Sequence, residues 1–283
     1  MTKTRVLAAL IMAPAVIGAI LLLPTQWLMP LCALVFLLAL WEWLKLADVE
    51  DTLARTVLLA CNLALMVALA WGSRSPLGGT LPLLQLVIVI GVVWWLLALI
   101  WLRHYDFASN HDGNARMFKL AAGTLAVVPA WCALGVIHAG EPRGHCWLLL
   151  ALMLVWAADS GAYFTGRKFG GNWFGARRLA PRISPNKTIE GLLGGIVLAM
   201  LVAVVGALLI GAAPAQLPAI ALVAALTVGF SVAGDLFESL LKRHAGAKDS
   251  GTLIPGHGGV LDRVDSVLAA LPVFALGKAW FGF

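Results

Sequence analysis

Charge is scarce in this chain. Only 12% of its 283 residues are Asp, Glu, Lys or Arg, while 61% are hydrophobic and the mean hydropathy is +0.92. A soluble domain is about 25% charged, and one of this size could not hide so much apolar surface. The shortage excludes a soluble enzyme and a disordered chain. The four cysteines, Cys32, Cys61, Cys132 and Cys146, show no Cys-x-x-Cys or Cys/His ligand spacing. They exclude a disulfide scaffold, carry no zinc or redox motif, and read as small apolar residues. Long polar linkers, a soluble domain, an internal repeat, a Walker A loop and a Rossmann fingerprint are also missing from the sequence. What remains is an all-α, polytopic integral membrane protein. A net charge of +6 would suggest nucleic acid in a soluble protein. Here the positions of the charges matter more than their sum, and no nucleic-acid partner is expected.

A helix needs about 20 mostly apolar residues to cross a bilayer. Nine such segments can be read: about 6–23, 27–45, 57–72, 83–102, 119–138, 146–164, 189–211, 216–241 and 263–281. The third is short. The first follows Lys3 and Arg5 as in a signal peptide, yet it lacks a small-residue cleavage site and another span follows at once, so it is expected as a retained helix. With the N-terminus cytoplasmic, 17 of the 20 basic residues fall inside and only Arg74, Arg143 and Lys278 outside. That split fits nine spans and the positive-inside rule. The chain is expected to form one multispan domain, 1–283, with N-terminal helices in 1–145 and a catalytic half in about 146–283.

The chemistry is expected in the second half, around the basic segments 165–188 and 242–262. Intramembrane ionisable residues are costly, so each is a functional candidate. Asp159 sits near the end of the sixth span, with Ser160 and Tyr163 beside it. Glycines with Arg167 and Lys168 follow, a composition that suits phosphate or an ordinary cytoplasmic loop. In the stretch from Arg182 to Gly191, Ser184 before Pro185 suggests a turn and Thr188 a helix cap. Lys187 would then stand near a helix N-terminus, where anions are favoured, and Glu190 at the head of an apolar helix.

The richest block is 234–266. Asp235, Glu238 and Ser239 share one helix face, and Asp262 and Asp265 are again three apart. Lys242, Arg243, Lys248, Asp249 and a Pro-Gly-His-Gly-Gly turn lie between them. Carboxylates from two helix ends can hold a hard divalent cation, and the interleaved bases can hold phosphates. His257 could be a backbone-bonded loop histidine or a phosphate contact. His244 reads as a solvated basic neighbour, the cluster Asp48, Glu50 and Asp51 as a solvated loop, and residues 104–115 as a polar loop. Trp27, Trp101 and Trp147 read as interfacial anchors.

Ser239-x-Leu241-Lys242-Arg243, Lys248-Asp249, Pro255-x-His257-Gly258-Gly259 and Asp262-Arg263-x-Asp265 resemble the signature of the phosphatidate cytidylyltransferases, or CDP-diacylglycerol synthases. Asp159-Ser160-x-Ala162-Tyr163, Gly166-Arg167 and Ser184-Pro185-x-Lys187-Thr188-x-Glu190-Gly191 are similar to further elements of that family. The resemblance implies that CTP and phosphatidate give CDP-diacylglycerol and pyrophosphate. It implies magnesium, with a potassium ion beside it, bound at Asp235 and Asp262. A homodimer in a bacterial-type cytoplasmic membrane is also implied, with its site facing the cytoplasm. Catalytic roles would then fall on Asp235, Lys242, Arg243, Lys248, Asp249, Asp262, Arg263 and Asp265. Substrate binding would fall on Asp159, Ser160, Tyr163, Arg167, Ser184, Lys187, Glu190, Ser239, His257, Gly258 and Gly259.

The reaction suits this composition. A phosphate nucleophile is already ionised, so charge and alignment matter more than a strong base. Two rivals share some features. A CTP-dependent lipid-alcohol kinase would want a base for a hydroxyl. An ion-coupled transporter would hold its carboxylates near the bilayer midplane, often in repeated halves. A CDP-alcohol phosphotransferase would need a spaced Asp motif that the sequence does not contain.

Overall fold

The computed structural model describes residues 2–73, 80–175, 177–254 and 258–283. Its helices are α1 (Thr2–Leu22), α2 (Thr25–Leu46), α3 (Thr52–Gly72), α4 (Thr80–Arg103), α5 (Gly113–Ala139), α6 (Gly144–Phe169), α7 (Ile189–Ile210), α8 (Leu217–His244) and α9 (Leu261–Phe281). Among the described residues, α2 to α9 are long and apolar enough to cross a membrane. The described apolar part of α1 is the shorter Leu10–Leu22. The third helix is longer than its apolar run suggested, because Asp51 caps it by accepting from the backbone N–H groups of Leu53 and Ala54.

Long-range hydrogen bonds sort the helix ends into two poles. At one, His138 bonds Thr25 Oγ1 and the Ile20 carbonyl, Arg143 donates to Ile210 O, and Gln216 donates to Gly282 O. At the other, His244 donates to Tyr105 O, Arg243 to Ile183 O, and Arg182 forks onto both oxygens of Asp106. Segments 165–188 and 242–262 therefore meet at one end of the bundle, as the alternation of spans requires.

Burial separates the core from the lipid-facing periphery. In the span of α5, 67% of residues are buried, against 11% in α3. Leu53, Val57, Leu63, Leu65, Val67 and Trp71 of α3 are all exposed, an apolar face that suits lipid. The core beneath the second pole is aromatic. Phe237 of α8, fully buried, is stacked on Trp43 and met edge-on by Trp94, Trp95 and Trp101, with ring centroids 5.2–6.0 Å away. Each such pair adds about 0.5–1.5 kcal/mol beyond area burial. This cluster locks α2 and α4 to the part of α8 that carries Asp235 and Glu238. Trp101 and Trp147 are consequently core residues, not interfacial anchors; Trp27 is exposed.

Helices α6 and α7 pack at backbone contact. A Cβ on Gly161 would lie 2.7 Å from Gly194 O, so only glycine fits there. Between these helices runs an antiparallel hairpin, β1 (Arg178–Ala180) and β2 (Ser184–Thr188). Ser184-Pro185 belongs to the second strand and not to the turn, because proline drives the preceding residue into the extended region. Thr188 does cap α7, accepting from the Gly191 N–H at 3.0 Å.

Two other expectations about polar residues are corrected. His244 is buried and hydrogen-bonded, not solvated. Asp48 does not stand in open water: it pairs with His111 and with Lys119, a fully buried lysine of α5. The 104–115 loop docks on the hairpin, where Arg182 also lies 4.1 Å over the Tyr105 ring.

Candidate active site

A cavity of about 740 Å³ opens among α6, α7, α8 and β2. Asp159, Tyr163, Arg167, Ser184, Lys187 and Asp235 all line it, with Asn186 and Thr188 beside them. Its size falls within the about 300–1,000 Å³ of sites that hold small ligands. The α6–α7 contact and the hairpin create it. Helix α6 brings Asp159, Tyr163 and Arg167 to one wall at i, i+4 and i+8, and β2 carries Ser184 and Lys187 to the other.

Lys187 Nζ lies 2.5 Å from Asp235 Oδ2, so hairpin and α8 are joined by an ion pair at the cavity wall. Ser239 Oγ donates to Asp235 Oδ1 at 3.4 Å. Asp159 interacts electrostatically with Asp235, Lys187 and Arg263. Asp265 does so with Asp235, Lys187 and Lys242, and its Oδ1 accepts from the Ser266 N–H. Arg167 donates to the Tyr163 hydroxyl at 3.0 Å. Ser160 Oγ, in contrast, bonds back to Trp156 O, and Ser160 is not among the cavity-lining residues.

A second cluster lies beside the first. Lys242 Nζ sits 2.5 Å from Glu238 Oε2 and 2.7 Å from Asp262 Oδ1. Asp262 Oδ2 lies in reach of the N–H groups of Ser250 and Gly259 and of the Ser250 hydroxyl, at 2.8–3.1 Å. Gly258 has a φ of +81°, and a Cβ there would meet Asp262 Oδ2 at 2.7 Å. Ser250, Gly258 and Gly259 are thus gathered around Asp262. Lys248 and Asp249 are exposed on it, and Arg243 ties α8 to the hairpin. Glu190 is buried under the glycine loop, where its Oε1 gathers the N–H groups of Gly171, Trp173 and Phe174. His257 lies outside the described residues.

Sequence reasoning missed one participant, Glu42 of α2. It is 5% exposed, and its Oε2 lies 2.9 Å from Ser250 Oγ and 2.8 Å from the Leu261 N–H. The signal was present: a lone acid in an apolar helix.

Among the described residues, no three His, Cys, Asp or Glu side chains converge at metal-binding spacing. Asp235 and Asp262 are each engaged by a different lysine. Magnesium commonly takes one or two carboxylates and completes its shell with phosphate oxygens and water. The cavity-wall carboxylates fit that habit. They do not form an all-protein cage.

The model of the cytidylyltransferase family matches residues 3–280. A phosphatidate cytidylyltransferase of Pseudomonas aeruginosa is 39% identical over 275 residues, covering 97% of this chain and 96% of that one. The chain belongs to the phosphatidate cytidylyltransferase family. A further member, from Haemophilus influenzae, is 35% identical with 97% and 98% covered, and one from Staphylococcus epidermidis is 33% identical with 96% and 95% covered. As a phosphatidate cytidylyltransferase family member, the chain is a multi-pass membrane nucleotidyltransferase. The match spans the first half too, so α1 to α5 are part of what the family shares.

Proposed function

We propose that the protein transfers the cytidylyl group of CTP to phosphatidate, releasing pyrophosphate and forming CDP-diacylglycerol. The observation that carries this reading is the cavity in which Lys187, Arg167, Asp159 and Asp235 face one another. A phosphate oxygen of phosphatidate attacks the α-phosphorus of CTP; the new O–P bond forms as the bond to the β-phosphate oxygen breaks. The second ionisation of a phosphomonoester has a pKa near about 6, so the nucleophile needs no strong base. What the site must do is hold two polyanions together and offset charge on the leaving group. Lys187 and Arg167 serve as cationic clamps, and Asp235 and Ser239 orient Lys187. Asp235 and Asp159 are the carboxylates we assign to magnesium, and Asp262 could join them only by giving up Lys242. Magnesium would supply Lewis-acid polarisation of the phosphoryl oxygens and charge neutralisation.

Product analysis tests the assignment. Detergent-purified protein with radiolabelled CTP, phosphatidate and magnesium should yield a labelled CDP-lipid. A lipid-alcohol kinase would instead leave labelled CDP in the water phase.

Lys187→Ala should raise the KM for CTP or phosphatidate by about tenfold or more, since a hydrogen bond to a charged group contributes about 1.5–3 kcal/mol. Its stability should hardly change. The side chains of Lys187 and Asp235 are 25% and 33% exposed; the ammonium itself is shielded, but water can reach Asp235 once the lysine is cut back, so the pair adds little to folding. Steady-state kinetics beside a detergent melting curve reads both.

We also assign this pole to the cytoplasm, from the positive-inside count. In a variant lacking the native cysteines, a cysteine at Asn172 or Ala247 should react with an impermeant maleimide only in inverted vesicles. Labelling in intact cells would reverse the orientation.

A further inference from the structure

The last helix has no local cap. Val260, at its N-cap position, has no polar side chain to offer, yet the first N–H groups of a helix need acceptors. One is supplied from far away in the sequence: the Leu261 N–H donates to Glu42 Oε2 across 219 positions. A carboxylate at that end also favours the helix dipole. The same oxygen lies 2.9 Å from Ser250 Oγ, which lies equally close to Asp262 Oδ2. One serine thus stands between a carboxylate of α2 and a carboxylate of the signature. The surrounding backbone is shaped to this side chain. A Cβ on Gly251 or Gly259 would collide with the Glu42 carboxylate. Next to it, Trp43 stacks on Phe237 and donates to Lys119 O, so α2 is held rigidly where Glu42 leaves it.

We propose that Glu42 is a positioning residue for the reaction: it caps α9 from α2 and so fixes Asp262, which through Lys242 holds α8 and its Asp235 at the cavity wall. Glu42 is not among the cavity-lining residues and touches no reacting atom in this scheme. The kinetic part of the proposal rests on the cytidylyl-transfer reading above; the structural part does not.

The test compares wild type, Glu42→Ala and Glu42→Gln in detergent, by amide hydrogen exchange and by kinetics. Glutamine keeps a carbonyl oxygen for the Leu261 N–H; alanine does not. In Glu42→Ala, exchange across residues 250–262 should quicken about fivefold or more, the size of a lost cap. Its kcat should fall about 100-fold, as expected when Asp235, carried on α8 with Lys242, is displaced by about 1 Å. The KM for either substrate should move by less than about threefold, because groups that bind both ground and transition states are untouched. Glu42→Gln should stay within about fivefold of wild type in kcat and keep slow exchange. Should the alanine variant not fold, Glu42→Asp, one methylene short of reach, replaces it with the same outcomes. Unchanged exchange at 250–262 overturns the cap, whatever the activity. Faster exchange with wild-type kcat overturns the positioning role. A wild-type protein that makes no CDP-lipid would strike the functional reading alone, since exchange still judges the cap.

Discussion

Asp235→Asn is expected to lower turnover by at least about 100-fold, the loss usual when one transition-state contact of this kind is removed, while insertion and yield stay normal. Asparagine keeps the shape of the side chain but not its charge. Lys187 then loses the partner 2.5 Å away that holds it against the cavity wall, and a cation loses an oxygen ligand. Whatever activity survives should need more magnesium. A magnesium titration of purified wild type and variant decides the matter. The alternative is a purely structural pair, in which the variant melts earlier but its folded fraction keeps both turnover and magnesium midpoint; that result would remove Asp235 from the site.

Lys242 looks like a second phosphate clamp in the sequence, but its surroundings point to a different expected phenotype. Its side chain is 14% exposed, and those of Glu238 and Asp262 are 1% and 9% exposed. The one ammonium bridges both carboxylates, and Asp262 accepts in addition from Ser250 and Gly259. Lys242→Met should therefore cost about 3–5 kcal/mol, the loss found when one member of a buried ionic set is removed and the others stay charged. Thermal unfolding in detergent would show it as a large drop in Tm. Adding Glu238→Gln should recover part of the loss, because one orphaned charge disappears. If Lys242→Met melts like wild type and loses only substrate affinity, the lysine is free for phosphate and the present account of it is wrong. The contrast with Lys187→Ala is the point: similar residues, separated by how exposed their carboxylate partners are, 33% for Asp235 against 1% for Glu238 and 9% for Asp262.

Much of this architecture was legible. Apolar runs and basic residues gave the helices and the two segments that meet at one pole, because hydropathy and charge are local properties of the chain. Thr188 as a cap was legible for the same reason. The cavity wall was partly so, since Asp159, Lys187 and Asp235 are ionisable residues where burial is expensive. What escaped was long-range. Nothing near Glu42 in sequence announces Ser250 or Leu261. Trp101 has the composition of an interfacial anchor, and only the presence of Phe237 against it makes it core. His244 reads as solvated in the sequence because its partner, Tyr105, lies 139 positions away. One pairing could have been read directly: Glu238 and Lys242 are four apart on a helix, the spacing at which acid and base meet.

The contact between Glu42 and the head of α9 also sets an order of manufacture. The ribosome makes Glu42 219 residues before Leu261, an interval of about 10–40 s at about 5–20 residues per second. For all that time α2 carries an acid whose acceptor role is unfilled, and from residue 238 onward α8 adds another that waits for Asp262 to complete its set. A helix with an unmatched carboxylate is reluctant to settle in lipid. A chain that stops short of residue 261 thus leaves Glu42 without the Leu261 N–H it accepts from, and leaves Glu238 with Lys242 but without Asp262.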